Sequence, residues 1–258
     1  MIYLVNYADE QFKAAQKYNK KTALKVGGVD VVFECNPKQI DEDFYAKHQE
    51  ILSQKRGAGY WLWKLYFIKK YLQKINDGDT LIYADSGSFF CKSILPLAAL
   101  ADNYKQDVIP FELELMEGAW CKRDAFYYMG CEGLGFEQTR QRLASFIVIK
   151  KSQFSVDFID QYLAYCSDPR IVTDNPNVCG LDNFPDFSEH RHDQSIFSLL
   201  TKLHKLQAFR DPSQWGTPRL DEYVNSAYGQ IIEHTRSKAP KEANFLYRIK
   251  RKIIPKRR

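Results

Sequence analysis

The chain has 258 residues, 45% of them hydrophobic and 27% charged, which suits one large domain or two small ones with an ample core. Its 37 Lys/Arg and 32 Asp/Glu give a formal charge of +5, but residues 248–258 hold seven of the basic groups and no acid, and removing them leaves 30 against 32, or −2. The body is therefore not a basic nucleic-acid binder, and no RNA-binding signature is present.

In chain order, Ile2 to Asn6 predicts a first strand, residues 9 to 25 a helix ending near Gly27-Gly28, and Val29 to Glu34 a second strand stopped by Asn36-Pro37. Such a β-α-β opening favours a parallel sheet with helices on its faces. Residues 41 to 54 read as a polar helix, broken by Arg56-Gly57-Ala58-Gly59. Trp61, Leu65, Ile68, Leu72 and Ile75 then recur at helical spacing. This stripe places Trp61 in the core and turns Trp63 and Lys64 to other faces. Thr80 to Ala84, after the turn signal Asn76-Asp77-Gly78-Asp79, reads as a buried strand. A helix over 93 to 104 follows, with Pro96 near its start. Strands are predicted over 108 to 115, 125 to 129 and 144 to 149, and a helix over 153 to 166. Residues 168 to 190, with three prolines and several Asp/Asn, form a long loop of the kind that carries function. A helix returns over 192 to 206, and a tail begins beyond Pro240. There is no internal repeat.

Three segments carry candidate chemistry. The strand over 80 to 84 stops on Asp85-Ser86-Gly87, placing a carboxylate at the carboxyl end of an inner strand. Ligands of open α/β sheets bind there, and an acid can hold a divalent metal or a sugar hydroxyl; equally, Asp-Ser-Gly makes a good tight turn that Asp85 would cap. Arg56-Gly57-Ala58-Gly59 precedes a helix whose first N–H groups could attract phosphate, with a plain interhelical turn as the alternative. Lys64, near that helix start, could reach a phosphate or sugar oxygen, or be merely solvated. Glu189-His190-Arg191-His192-Asp193-Gln194 closes the long loop. It is either a dense polar site or loop surface followed by an N-cap at Asp193. His190 and His192 lack the spacing of a helical zinc pair. No G-x-S-x-G and no cysteine-nucleophile signature is present.

The six cysteines are scattered without C-x-x-C or zinc-finger spacing, and read as free, mostly buried thiols in a reducing compartment. Met1 to Val5 lacks a basic n-region, no run of 18 apolar residues occurs, and there is no Asn-x-Ser/Thr acceptor. A cytoplasmic location is expected. In residues 245–258, Phe245, Leu246, Tyr247, Ile249, Ile253 and Ile254 are interspersed with the basic groups, so this segment could lie on an anionic membrane or serve as a solubilising tail.

Four stretches, in order, resemble a family of bacterial polysaccharide-type glycosyltransferases with the GT-A fold. They are Gly57 to Lys64, Asp77 to Gly87, Trp120 to Asp124 and His190 to Ser198. The resemblance covers roughly residues 1 to 205. It implies one α/β, Rossmann-like domain over 1–239 with a mostly parallel central sheet flanked by helices, followed by a basic tail over 240–258. It also implies transfer from a nucleotide-sugar donor to a glycan or lipid-linked acceptor. Asp193 would contact donor-sugar hydroxyls or act as general base, and Gln194 would sit near the anomeric carbon. Asn6 and Tyr7 would lie near the nucleotide base, Arg56 and Lys64 near the diphosphate or sugar, and Asp85 and Ser86 near ribose, metal or phosphate. Trp120 and Lys122 would border the acceptor. Gly87 stands where the fold's Asp-x-Asp has its second Asp, although the family often reads Asp-x-Gly, so a divalent Mn²⁺ or Mg²⁺ would rest on Asp85. Leu65 stands where relatives often have proline. The rival reading is a degenerate, non-catalytic transferase that binds a glycan or a membrane.

Overall fold

A computed structural model describes residues 1–235 and 238; the tail over 240–258, with its amphipathic segment 245–258, lies outside the described residues. The strands are β1 (Ile2–Tyr7), β2 (Val31–Cys35), β3 (Thr80–Ala84), β4 (Ser88–Phe90), β5 (Val108–Ile109), β6 (Phe111–Met116), β7 (Arg140–Arg142), β8 (Phe146–Lys150), β9 (Phe209–Arg210) and β10 (Ile232–His234). Five of them make the central sheet in the order β2-β1-β3-β8-β5. β1 runs parallel to β2 and β3, while β8 runs against both β3 and β5. Four of the five strands thus point one way, and their carboxyl ends open on one side.

Alternation along the strands builds two cores. Val5, Leu81 and Tyr83 face the helices Leu62–Leu72 and Gln153–Cys166. Leu4, Ile82 and Ala84 face the helix Leu95–Tyr104 and the turn at Ala23. With both faces covered, β3 is buried at all five positions, as its unbroken apolar run requires. The helix Gln153–Cys166 has the bounds read from sequence, and its start is fixed by a capping box between Ser152 and Ser155. Cys35, Cys121, Cys131 and Cys166 are buried free thiols. Among the described residues, no helix is long and apolar enough to cross a membrane.

Several expectations need correction. Residues 125 to 129 are not a strand but lie in and just after the helix Arg123–Tyr128; its aromatic content mimics a strand, while Phe126 packs as a helical residue against Phe184. The strand over 108 to 115 is two strands. Pro110, lacking an N–H, ends β5 in the central sheet, and β6 starts a second sheet in the order β7-β6-β9. The polar helix over 41 to 54 divides at His48 into Glu42–Lys47 and Gln49–Leu52.

The positions of the tryptophans are reversed from the sequence reading. Trp63 is buried and stacks on Tyr7 at 3.7 Å between ring centroids, whereas Trp61 is only half-buried. The cause lies just upstream. Gly57, Ala58, Gly59, Tyr60 and Trp61 all have φ between 48° and 101°, forming a five-residue turn of left-handed backbone. The helix therefore begins at Leu62, and its residues 62 to 68 are buried on every side, so no stripe distinguishes a face. Glycine is required at position 59, where a Cβ would meet the Leu52 Cα at 2.7 Å. The three non-glycine residues carry left-handed strain of about 1–2 kcal/mol each.

Candidate active site

The carboxyl ends of β1 and β3 open into a cavity of about 860 Å³, within the range of ligand pockets. β3 delivers Asp85 to it. The Tyr83 hydroxyl donates to Asp85 Oδ1 at 2.5 Å; burial pushes this phenol well above its ordinary pKa and keeps it neutral. The tight turn is closed by the Asp85 backbone carbonyl, which accepts from the Ser88 N–H at 3.0 Å. The carboxylate caps nothing there and is left for other work. Ser86 Oγ donates to the Tyr7 carbonyl at 2.6 Å and ties this turn to the end of β1.

Lys64 and Asp193 meet in the floor, although 129 residues separate them in sequence. Lys64 Nζ is 2.5 Å from Asp193 Oδ2 and 4.0 Å from an Asp85 oxygen, and donates to the Ala144 carbonyl at 3.0 Å. Burial works against the Lys64 ammonium, but the two carboxylates outweigh it and raise its pKa. Burial likewise pushes the Asp193 carboxyl up, against the pull of Lys64. The Tyr162 hydroxyl donates to the Asp193 carbonyl at 2.9 Å. Asp193 is not the N-cap: His192 occupies that position, and Asp193 is the first helical residue of Asp193–Leu203. An acid there gains from the helix dipole. Gln194 lines the cavity beside it, held by a 2.8 Å bond from its Nε2 to Gln141 Oε1.

Of the two readings left open for this segment, loop surface fails, because His190 and His192 are buried. His190 Nδ1 accepts from the Lys122 N–H at 3.2 Å. His192 has φ 52° and ψ −121°, a backbone that side chains rarely adopt, and such strain concentrates at functional sites. Its Nε2 lies 3.0 Å from Asp174 Oδ1, and the Tyr60 and Trp61 rings pack against it at 5.1 and 5.3 Å. Arg56 reaches the same Asp174 at 3.3 Å, so one carboxylate in the long loop joins both strained segments.

The structure gathers Tyr7, Arg56, Lys64, Asp85, Ser86, Asp193 and Gln194 around one cavity. It separates three others. Asn6 is fully buried behind the wall, where its amide bonds to Asn19 at 2.8 Å and to Gln16 at 3.0 Å. Trp120 does not line the cavity but stacks beneath the Arg191 guanidinium, which does. Lys122 is buried in a smaller neighbouring pocket, bonded to the Asn175 carbonyl at 2.7 Å. Sequence reasoning missed Tyr83, Tyr162 and Asp174, whose roles come only from contacts distant in sequence.

The donor set fits a protein-held divalent cation poorly. Among the described residues, no group of three His, Cys, Asp or Glu could hold one. Asp85 offers one carboxylate, already engaged by Tyr83 and faced by the Lys64 ammonium, and Gly87 adds no ligand. No step is assigned to a metal.

No protein-family model matches the chain, and no curated protein sequence matches it either. Solved structures do. The WbbM bifunctional glycosyltransferase in its apo form aligns over 90% of this chain at 12% identity and a TM-score of 0.50; the chain spans 45% of that protein. Mouse xyloside xylosyltransferase 1 aligns over 93% of this chain and 98% of its own length, at 11% identity and a TM-score of 0.48. The galactosyltransferase LgtC, in complex with donor and acceptor sugar analogues, aligns over 90% and 86% at 13% identity and a TM-score of 0.40. The central sheet, its flanking helices and the cavity at the strand ends together form a GT-A-type glycosyltransferase fold.

Proposed function

We propose that this protein is a glycosyltransferase that moves a sugar from a nucleotide-sugar donor to a hydroxyl of a glycan or lipid-linked acceptor in cell-surface polysaccharide synthesis. The observation that carries this reading is the pair of carboxylates, Asp193 and Asp85, set about the buried Lys64 ammonium in the cavity floor. Tyr7 and its stacked partner Trp63 give the nucleotide base an aromatic wall. Arg56 and the exposed Lys55 offer charge to the diphosphate. Asp85 and Ser86 face ribose or sugar hydroxyls. Asp193 accepts a donor-sugar hydroxyl or takes the acceptor proton, with Gln194 beside the anomeric carbon. Lys64 is too buried to grip a diphosphate freely; it is a positioning residue that holds both carboxylates in place. Asn6 acts from behind, fixing the helix Lys13–Thr22 to β1.

A thermal-shift screen of nucleotide-sugars tests this. A donor at 100 times its Kd adds about 2.7 kcal/mol, a shift of roughly 5–10 °C for a domain of this size. Asp85→Asn is expected to fold normally and to cut turnover at least tenfold, about 1.4 kcal/mol of barrier. Gly87 in place of a second Asp favours the rival reading, a non-catalytic binding module. A donor-induced shift without sugar transfer would establish that rival, and unaltered turnover in Asp85→Asn would remove Asp85 from the chemistry.

The proposal includes a cytoplasmic protein resting on the inner face of the membrane through residues 245–258. Each Lys/Arg near an anionic surface contributes about 1 kcal/mol. Deleting 245–258 is expected to release the protein from phosphatidylserine vesicles while turnover on a soluble acceptor survives. Equal vesicle binding by the shortened chain would refute the membrane role.

A further inference from the structure

We propose that Trp215, with Glu114, forms a platform for a pyranose ring of the acceptor. This rests on the glycosyltransferase reading and assigns the acceptor half of the cavity to a saccharide. Of the four tryptophans, Trp63 is buried and Trp61 and Trp120 are half-buried, but Trp215 is 62% exposed and lines the cavity.

Its exposure does not come from a loose loop. The Asp211 carboxylate accepts from the Ser213 N–H at 2.8 Å, and Ser213 Oγ accepts from the Trp215 N–H at 3.2 Å. Gly216 lies so close under Asp211 that a Cβ there would sit 1.9 Å from the Asp211 carbonyl oxygen. Gln214 exchanges two bonds with the His234 backbone, at 2.8 and 3.0 Å, and so ties the loop to β10. The backbone on both sides of Trp215 is fixed while its indole stays in solvent. Presenting a rigid aromatic face this way lowers the ordering cost when a ligand stacks on it.

The surroundings match a sugar. Leu113, Glu114 and Leu115 of β6 also line the cavity, as do Asp211 and Arg219. Arg219 Nε lies 3.4 Å from a Glu114 oxygen. A pyranose has an apolar face of C–H groups and a rim of hydroxyls. The face can lie on the indole, and the rim hydroxyls can donate to the exposed Glu114 carboxylate. The groups assigned to the donor, Tyr7, Arg56, Asp85 and Ser86, come from other segments of the lining, which leaves this wall to the acceptor.

The test uses the full chain, its Trp215→Ala and Trp215→Phe variants, and an array of p-nitrophenyl glycopyranosides as acceptors. Trp215→Ala is expected to raise the acceptor KM about tenfold while kcat at saturating acceptor and the donor KM change less than twofold. Trp215→Phe should recover most of the loss. In parallel, methyl glycopyranosides should quench wild-type tryptophan fluorescence, and the quenching should vanish in Trp215→Ala. An unchanged acceptor KM, or a donor KM that rises equally, overturns the platform. So does a variant that keeps its acceptor KM but loses binding to phosphatidylserine vesicles, since the indole would then serve a membrane. If no nucleotide-sugar is turned over by the wild type, the enzymatic reading fails. The fluorescence titration then decides the platform alone, and absence of quenching by every glycoside rejects it.

Discussion

Asp193→Asn is expected to lose a hundredfold or more in kcat and, at the same time, about 3–5 kcal/mol of stability. The first loss is the usual scale for a general base. The second follows from Lys64, a buried ammonium 2.5 Å from the Asp193 carboxylate. Asparagine leaves that charge facing only Asp85 at 4.0 Å, and breaking a buried pair by removing one partner is strongly destabilising. The sequence alone suggests the opposite for stability, because asparagine caps a helix almost as well as aspartate. That reasoning does not apply, since His192 holds the cap position. The paired variant Lys64→Met, Asp193→Leu removes both charges and should melt near the wild type while remaining inactive. Urea unfolding and initial rates on all three proteins check this. Wild-type turnover in Asp193→Asn would exclude the carboxylate from the chemistry, and unchanged unfolding would deny the ion pair its structural role.

Stability is expected to fall by about 3 kcal/mol as pH drops from 6.5 to 4, through His192. Burial pushes this imidazole down to about 4, although Asp174 and Glu189 pull it up; Arg56 adds to the depression. In that window the unfolded chain binds a proton that the folded one refuses, so the stabilisation is complete above 6.5 and lost by 4. Buried His190 is depressed as well, by burial and by the neighbouring His192 and Lys122, and adds to the same trend. Asp193, raised by burial, acts in the opposite sense. The difference between wild type and His192→Asn isolates the histidine, because asparagine tolerates a positive φ and can still donate to Asp174. Parallel unfolding profiles for the two proteins from pH 7 to 4 would show that His192 does not titrate on unfolding.

Features set by local physics were legible in the sequence. β3 was readable because an unbroken apolar run follows a turn signal, and the helix Gln153–Cys166 because a serine cap precedes a periodic stretch. Asp85 and Asp193 were named in the sequence as candidates at element ends, and both line one cavity. What failed depended on handedness or on distant partners. No residue pattern announces that Ala58, Tyr60 and Trp61 adopt left-handed backbone, yet this shifts the following helix and exchanges the places of Trp61 and Trp63. The sequence around His190 and His192 left a polar site and loop surface both open, because the bonds that bury them, to the Ile171 carbonyl and to Asp174, come from 18 or 19 residues upstream. Lys122, expected from the resemblance to border the acceptor, is held away from the cavity by the Asn175 carbonyl, 53 residues downstream.

The left-handed turn from Gly57 to Trp61 also bears on how this protein can evolve. A replacement there must tolerate mirror-image backbone. It must also leave Gly59 room against Leu52, let Trp63 reach the Gly57 carbonyl at 2.9 Å, and keep two rings against His192. Few side chains meet all four demands, so this wall resists drift. The indole of Trp215 meets none of them: its backbone is anchored by neighbours, and its ring is open to solvent. If Trp215 carries the acceptor as proposed, changes in partner preference would be channelled to the segment after β9, where a new side chain alters the open side of the cavity without disturbing the buried Asp193.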